Sequence, residues 1–173
     1  MDEQLLLKKA QRGDDEAFYQ LMESMKQQLY RIALSYLKSE EEALEAVQEV
    51  TYRAYINIKK LKKPEFFKTW IIRIMINYCI DELKYKKRFT NENFEVERSS
   101  ESLPSKSNYD FVEIETLLSM LEKKYQTVIM LKYFHDYKIS EIALILNKPE
   151  GTIKTWLYKG LEILKTFMGG EES

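Results

Sequence analysis

This sequence predicts an all-α fold: two small helical domains, each of four helices, joined by a flexible acidic linker. Three observations predict it. Five Gly and three Pro in 173 residues are too few for the many tight turns of a sandwich or barrel. Over most of the chain apolar residues recur three and four apart, the period of an amphipathic helix. Between about Phe89 and Asn108 that period stops and the composition turns to Asn, Glu, Ser and Pro; about 20 patternless residues read as a tether rather than as a loop inside one domain.

The elements follow in order. Leu5, Leu6 and Ala10 start a short helix that ends near Gly13. Asp14 and Asp15 supply a cap and first-turn acid for a second, whose stripe is Phe18, Leu21, Met22, Met25, Leu29, Ile32, Ala33 and Tyr36. Ser39 before Glu40, Glu41 and Glu42 repeats the start signal, and Ala43, Ala46, Val47, Val50, Ala54 and Ile58 form the stripe of a third. Pro64 opens a fourth, with Phe67, Trp70, Ile71, Ile74, Met75 and Tyr78 inward, running to the basic stretch Lys84–Arg88. Beyond the linker, four more helices are read from Val112 to Leu121, from Val128 to Phe134, from Ile139 to Leu146, and from Glu150 onward with Ile153, Leu157, Leu161 and Leu164 buried. The domains are thus 1–88 and 109–170, with 89–108 as linker.

Composition excludes several functions. The longest apolar run, Ile142–Leu146, is far short of the roughly 20 residues of a membrane span, and the N-terminus lacks the basic and apolar regions of a secretion signal. A cytoplasmic protein is the expectation. One cysteine, Cys79, and one histidine, His135, cannot assemble an internal disulfide or a His/Cys metal cage, so no metal or cofactor is expected.

The formal charge of −1 hides a strong segregation. Residues 1–52 carry 6 basic against 11 acidic side chains, residues 53–88 carry 11 against 3, and residues 89–116 carry 2 against 7. Because exposed charges are screened beyond about 8–10 Å, a local excess of cations can attract a polyanion although the whole chain is nearly neutral.

Two segments give that excess a chemical meaning. Lys138–Leu164 reads as helix, tight turn, helix: Ser140 as cap, Ala143 small at the helix crossing, and Asn147–Pro149 as the break. The second helix presents Lys154, Thr155, Tyr158 and Lys159 near its N-terminal end, the end that enters a major groove in this motif. Earlier in the chain, Leu61–Lys84 interleaves aromatics and cations. Helical spacing puts Arg73, Asn77 and Lys84 on one face beside Asp81. Ring surfaces for unstacked bases and cations for phosphates suit single-stranded DNA, although Phe67 and Trp70 equally suit core packing. Lys62, Lys63, Lys68, Arg73 and Lys84 are the stronger functional candidates.

In this order, the motifs resemble a sigma factor of the extracytoplasmic-function (ECF) group, in the sigma-70 family of bacterial RNA polymerase subunits. Ala10–Phe18 is similar to the opening of region 2, Glu42–Val50 to its polymerase-binding helix, and Phe67–Asp81 to the segment that reads the minus-ten element. Leu121–Leu131, Ser140–Leu146 and Pro149–Thr155 resemble region 4, which reads the minus-35 element.

The resemblance implies a protein that is not an enzyme. It implies docking of Glu42, Glu45, Gln48 and Glu49 on the clamp coiled coil of the polymerase beta-prime subunit. It implies minus-ten contacts from Lys62, Lys63, Phe66, Lys68, Trp70, Arg73, Asn77 and Lys84. It implies minus-35 contacts from Glu150, Gly151, Thr152, Lys154, Thr155, Tyr158 and Lys159, with region 4 also touching the beta flap. The usual regulator of the family is a membrane-anchored anti-sigma factor, released on envelope stress. The main alternative is a dimeric helix-turn-helix regulator that binds duplex DNA but not polymerase. A third reading, a small enzyme using Asp136 with His135 or Cys79, lacks any accompanying nucleophile or phosphate motif.

Overall fold

The computed structural model describes residues 2–93 and 109–169, the side chains of 90–93 and 109–113 excepted. Among the described residues all regular structure is helical, and the chain divides into two compact units, Met1–Lys87 and Arg88–Ser173.

The first unit contains α1 (Glu3–Gln11), α2 (Asp15–Leu37), α3 (Glu40–Asn57) and most of α4 (Phe67–Asn93). Gly13, at φ 101°, turns the chain between α1 and α2 in a conformation open to glycine. The Asp14 carboxylate then accepts the Ala17 amide at 3.1 Å, and the Ser39 hydroxyl accepts the Glu42 amide at 3.2 Å; both caps satisfy amides that a helix start leaves unpaired. Two single 3₁₀ turns, Ile58–Lys60 and Pro64–Phe66, connect α3 to α4. The stripes expected on α2 and α3 are buried in full.

On α1 and α4 the phase differs from the expectation. Leu7 is wholly buried while Leu5 lies exposed, because Leu7 and not Leu5 shares a face with Ala10. On α4 the buried stripe is Phe67, Ile71, Ile72, Met75, Ile76 and Cys79, and Trp70, Ile74 and Tyr78 are only half-buried flanks. Nearly every residue from Trp70 to Ile76 is apolar, so the period alone does not select the inward face. Helix α4 also continues to Asn93, past the end that the charge pattern suggested; the remainder of the segment read as linker, 94–108, lies outside the described residues.

The second unit holds α5 (Tyr109–Ser119), α6 (Lys123–Ile129), α7 (Ile139–Leu146) and α8 (Glu150–Phe167). Helix α6 runs on into a π-helical turn, Met130–Phe134, closed by the His135 amide on the Met130 carbonyl at 3.1 Å. This wider turn rotates Phe134 off the apolar stripe, leaving it 38% exposed, where the sequence pattern had it inward. Helix α7 has the expected bounds, but its cap lies two residues earlier than expected: the Lys138 amide donates to the Glu141 carboxylate at 2.7 Å, and Ser140 is an exposed first-turn residue rather than the cap. Asn147, at φ 59°, ends α7, with the Lys148 amide on the Ala143 carbonyl at 3.0 Å. On α8 the buried face is Ile153, Leu157 and Gly160; Leu161 is exposed and Leu164 half-buried. Gly160 lets α8 approach α6 closely, since a Cβ there would lie 3.0 Å from Ile129 Cδ1 and 3.1 Å from Tyr125 Cβ.

Candidate nucleic-acid and polymerase interfaces

The connection from α3 to α4 presents exposed Lys62 and Lys63, followed by half-buried Phe66 and exposed Lys68. The Lys63 ammonium lies 5.9 Å from the Phe66 ring centroid. Phe67 is fully buried, so it belongs to the core and cannot stack on a base. Trp70, half-buried, packs its ring 6.1 Å from that of Phe67 and keeps part of its surface open. Farther along the helix Asn77, Asp81 and Lys84 are exposed and Arg73 is half-buried, so the face that carries them is polar against an apolar opposite face.

Helix α3 carries the four candidate docking residues, and the structure divides them. Glu45 and Gln48 are exposed. Glu42 meets the Lys86 ammonium of α4, and the Glu49 carboxylate accepts from Arg53 Nε at 3.0 Å. The Arg53 guanidinium also lies 5.2 Å from the centre of the Tyr78 ring. Burial, then the carboxylates of Glu82, Glu49 and Glu45, raise the Tyr78 phenol above its ordinary range and keep it neutral.

The sequence reading missed the apolar part of this surface. Leu44, Tyr52 and Ile56 are large side chains exposed on α3. A groove of about 360 Å³ between α2 and α3 is lined by Glu23, Lys26, Gln27, Tyr30, Leu44 and Val47. The signal available was Leu44 itself, an apolar residue among the acids that lead α3.

In the second unit Glu150, Gly151, Lys154, Thr155, Tyr158 and Lys159 are exposed and Thr152 is half-buried. These positions line the first three turns of α8 opposite Ile153 and Leu157, so the helix-turn-helix leaves that face open to a partner. Trp156 is instead drawn into a side cluster, with Lys124 5.4 Å from its ring and 5.2 Å from that of Tyr125.

The enzyme reading finds no support in this geometry. Cys79 is buried, and burial, followed by Glu82, pushes its thiol up to about 12, which makes it an unreactive core residue. Among the described residues no cluster of His, Cys, Asp and Glu is placed to hold a metal ion, and no helix is long and apolar enough to cross a membrane.

Comparison with known proteins matches residues 21–89 to Sigma-70 region 2 and residues 111–164 to Sigma-70, region 4. The ECF RNA polymerase sigma factor SigW of Bacillus subtilis (strain 168) is 33% identical over 174 residues, covering 92% of each chain. The chain belongs to the ECF sigma factors. RNA polymerase sigma factor SigV of the same organism is 32% identical, covering 85% of this chain and 88% of its own. Among solved structures, CnrH in complex with the cytosolic domain of CnrY has a TM-score of 0.73 at 18% identity, covering 98% of this chain and 99% of that one. The sigma factor RpoE of Bartonella quintana, in complex with the anti-sigma factor NepR, gives 0.67 at 18%, covering 90% and 98%; both likenesses are of fold. Sigma factors are non-enzymatic subunits that bind core RNA polymerase and DNA to start transcription, and the dimeric-regulator alternative is not favoured.

Proposed function

We propose that this ECF sigma factor divides initiation between its two units. Region 2, residues 1–88, docks on the clamp coiled coil of the beta-prime subunit through Glu42, Glu45, Gln48 and Glu49. It then captures the separated minus-ten strand with Lys62, Lys63, Phe66, Lys68, Trp70, Arg73, Asn77 and Lys84. Region 4, residues 109–170, holds duplex minus-35 DNA with the α8 face from Glu150 to Lys159 and touches the beta flap. The chain beyond Asn93, where α4 ends, joins the two.

The observation that carries this reading is the separation of charge within one small unit. Helix α3 offers exposed Glu45 and Gln48, while the α3–α4 connection and α4 offer exposed Lys62, Lys63, Lys68 and Lys84. Acid suits a protein partner and would repel phosphate; the cations do the reverse. Strand separation then follows from binding, because stacking of a flipped base on a ring, worth about 1–3 kcal/mol, offsets the cost of unstacking it.

Regulation by an anti-sigma factor is supported by the fold likeness to RpoE, which was solved with NepR. We assign that regulator to the membrane, with release on envelope stress, and the sigma factor itself to the cytoplasm.

The test is the double variant Glu45→Lys, Gln48→Lys. It is expected to lose co-elution with core polymerase while keeping its helical circular dichroism and its affinity for minus-35 duplex. Undiminished co-elution would move the docking surface off α3.

A further inference from the structure

The last residue of α1 reaches across the first unit to the strand-contacting loop. The Gln11 side-chain amide donates to the Ile58 carbonyl at 2.8 Å and to the Leu61 carbonyl at 2.7 Å. A primary amide nitrogen has two hydrogens, so both donors are committed and the orientation of the amide is fixed. We propose that Gln11 is a positioning residue for the minus-ten interface, setting the loop 58–66 in the conformation that presents Lys62, Lys63 and Phe66. This inference rests on the strand-capture reading given above.

Three features lead to it. First, the loop's own backbone bonds span single turns: the Leu61 amide on the Ile58 carbonyl at 3.2 Å, and the Phe66 amide on the Lys63 carbonyl at 3.0 Å. Between those turns Leu61, Lys62 and Lys63 have no regular structure. Gln11 ties the first turn, at both its ends, to a helix anchored by buried Leu7 and Ala10. Second, α3 ends at Asn57, and on the 3₁₀ turn that follows the Ile58 carbonyl takes the Gln11 amide as a second donor beside the Leu61 amide, so the turn is held from outside as well as from within. Third, no residue of α1 is among those expected to touch DNA or polymerase, so what Gln11 does for the interface it does through the loop it holds.

A loop already held in its bound shape does not have to be ordered when the strand arrives, so its cations bind more tightly for the same contacts. Gln11 thereby acts on DNA without touching it. Docking on core polymerase, which the reading places on α3, does not depend on it.

The test compares Gln11→Glu and Gln11→Lys in reconstituted holoenzyme. The probe is a fluorescent single-stranded oligonucleotide carrying the non-template minus-ten strand of a promoter that supports run-off transcription. Glu keeps the length of Gln but faces two carbonyls with a carboxylate; Lys can donate to both. Gln11→Glu is expected to weaken oligonucleotide binding about tenfold, the worth of two ordinary hydrogen bonds, with core co-elution unchanged, and Gln11→Lys to recover most of the loss. In the free protein, amide exchange of Leu61 and Phe66 should quicken in Gln11→Glu while that of α2 stays the same.

Unchanged oligonucleotide binding, unchanged loop exchange, or exchange quickened throughout the first unit would each overturn the proposal; the last would make Gln11 a support of the whole unit. The underlying reading fails differently: Lys62→Ala, Lys63→Ala would then bind the oligonucleotide as the unaltered protein does.

Discussion

Lys86, near the end of α4, closes on Glu42, in the first turn of α3, and so pairs a cation of the basic stretch with an acid of the proposed docking face. Both side chains are about a third exposed or more, so the pair is worth no more than about 1 kcal/mol. Polymerase that engages Glu42 has to displace Lys86. Lys86→Ala should therefore cost less than about 1 kcal/mol in urea unfolding and should tighten core binding about two- to fivefold by fluorescence anisotropy. Weaker binding would show instead that the pair holds α3 in its docking geometry.

Two glycines of α8 should respond in opposite directions. Gly151 has open space around its missing Cβ, whereas a Cβ on Gly160 would stand 3.0 Å from Ile129 and 3.1 Å from Tyr125, closer than ordinary van der Waals contact. Gly151→Ala should stabilise the second unit by about 0.5–1 kcal/mol through helix propensity. Gly160→Val should destabilise it by about 1–3 kcal/mol through overpacking. Denaturant midpoints of the two variants decide this, and a tolerated Gly160→Val would mean that α6 and α8 do not meet as described.

Alkaline pH should weaken both units. Burial pushes the Cys79 thiol from its ordinary 9.0, and the Tyr137 phenol from its ordinary 10.0, up to about 12 in each case. The unfolded chain therefore gives up these protons first, so their stabilisation is complete below about pH 9 and 10 respectively and is lost as pH rises toward 12. Tyr137→Phe should flatten the loss of second-unit stability between pH 10 and 12, measured by thermal melting at a series of pH values. At neutral pH, Cys79 should resist iodoacetamide until the chain unfolds.

Region 4 should lose counterion release along with its cations. Lys154→Ala, Lys159→Ala is expected to lower the slope of log affinity against log salt for minus-35 duplex by about 2. A slope equal to that of the unaltered protein would place the phosphate contacts elsewhere on the unit.

Where the sequence carried a clean period, it specified the structure. Stripes set apart by mostly polar positions, as on α2 and, Leu44, Tyr52, Tyr55 and Ile56 aside, on α3, have one possible inward face, and the caps Asp14 and Ser39 announce themselves chemically. The phase was lost where apolar residues run together: Leu5–Leu7 and Trp70–Ile76 allow more than one face, and only packing against neighbours selects Leu7 and Ile72. The π-helical turn that rotates Phe134 outward has no sequence signature, since it adds a backbone step without changing composition. Ser140 was misleading because Ser is a common cap, while the actual start uses the Glu141 carboxylate on the Lys138 amide.

In the candidate sites the exposure of Lys62, Lys63, Lys68 and Lys84 was legible because a solvated cation cannot be core. What the sequence did not reveal was pairing across long separations. Glu42 with Lys86, and Gln11 with Ile58 and Leu61, are relations between segments, and they depend on the packing of helices rather than on any local pattern.

Run-off transcription by purified core polymerase, with and without this protein, over a panel of candidate promoters decides whether the protein directs initiation. Discrete transcripts that require the protein and are abolished by Glu45→Lys, Gln48→Lys are the expected result. Duplex DNA binding by the protein with no promoter-dependent transcript, whatever the template, would mean that it is not an initiation subunit.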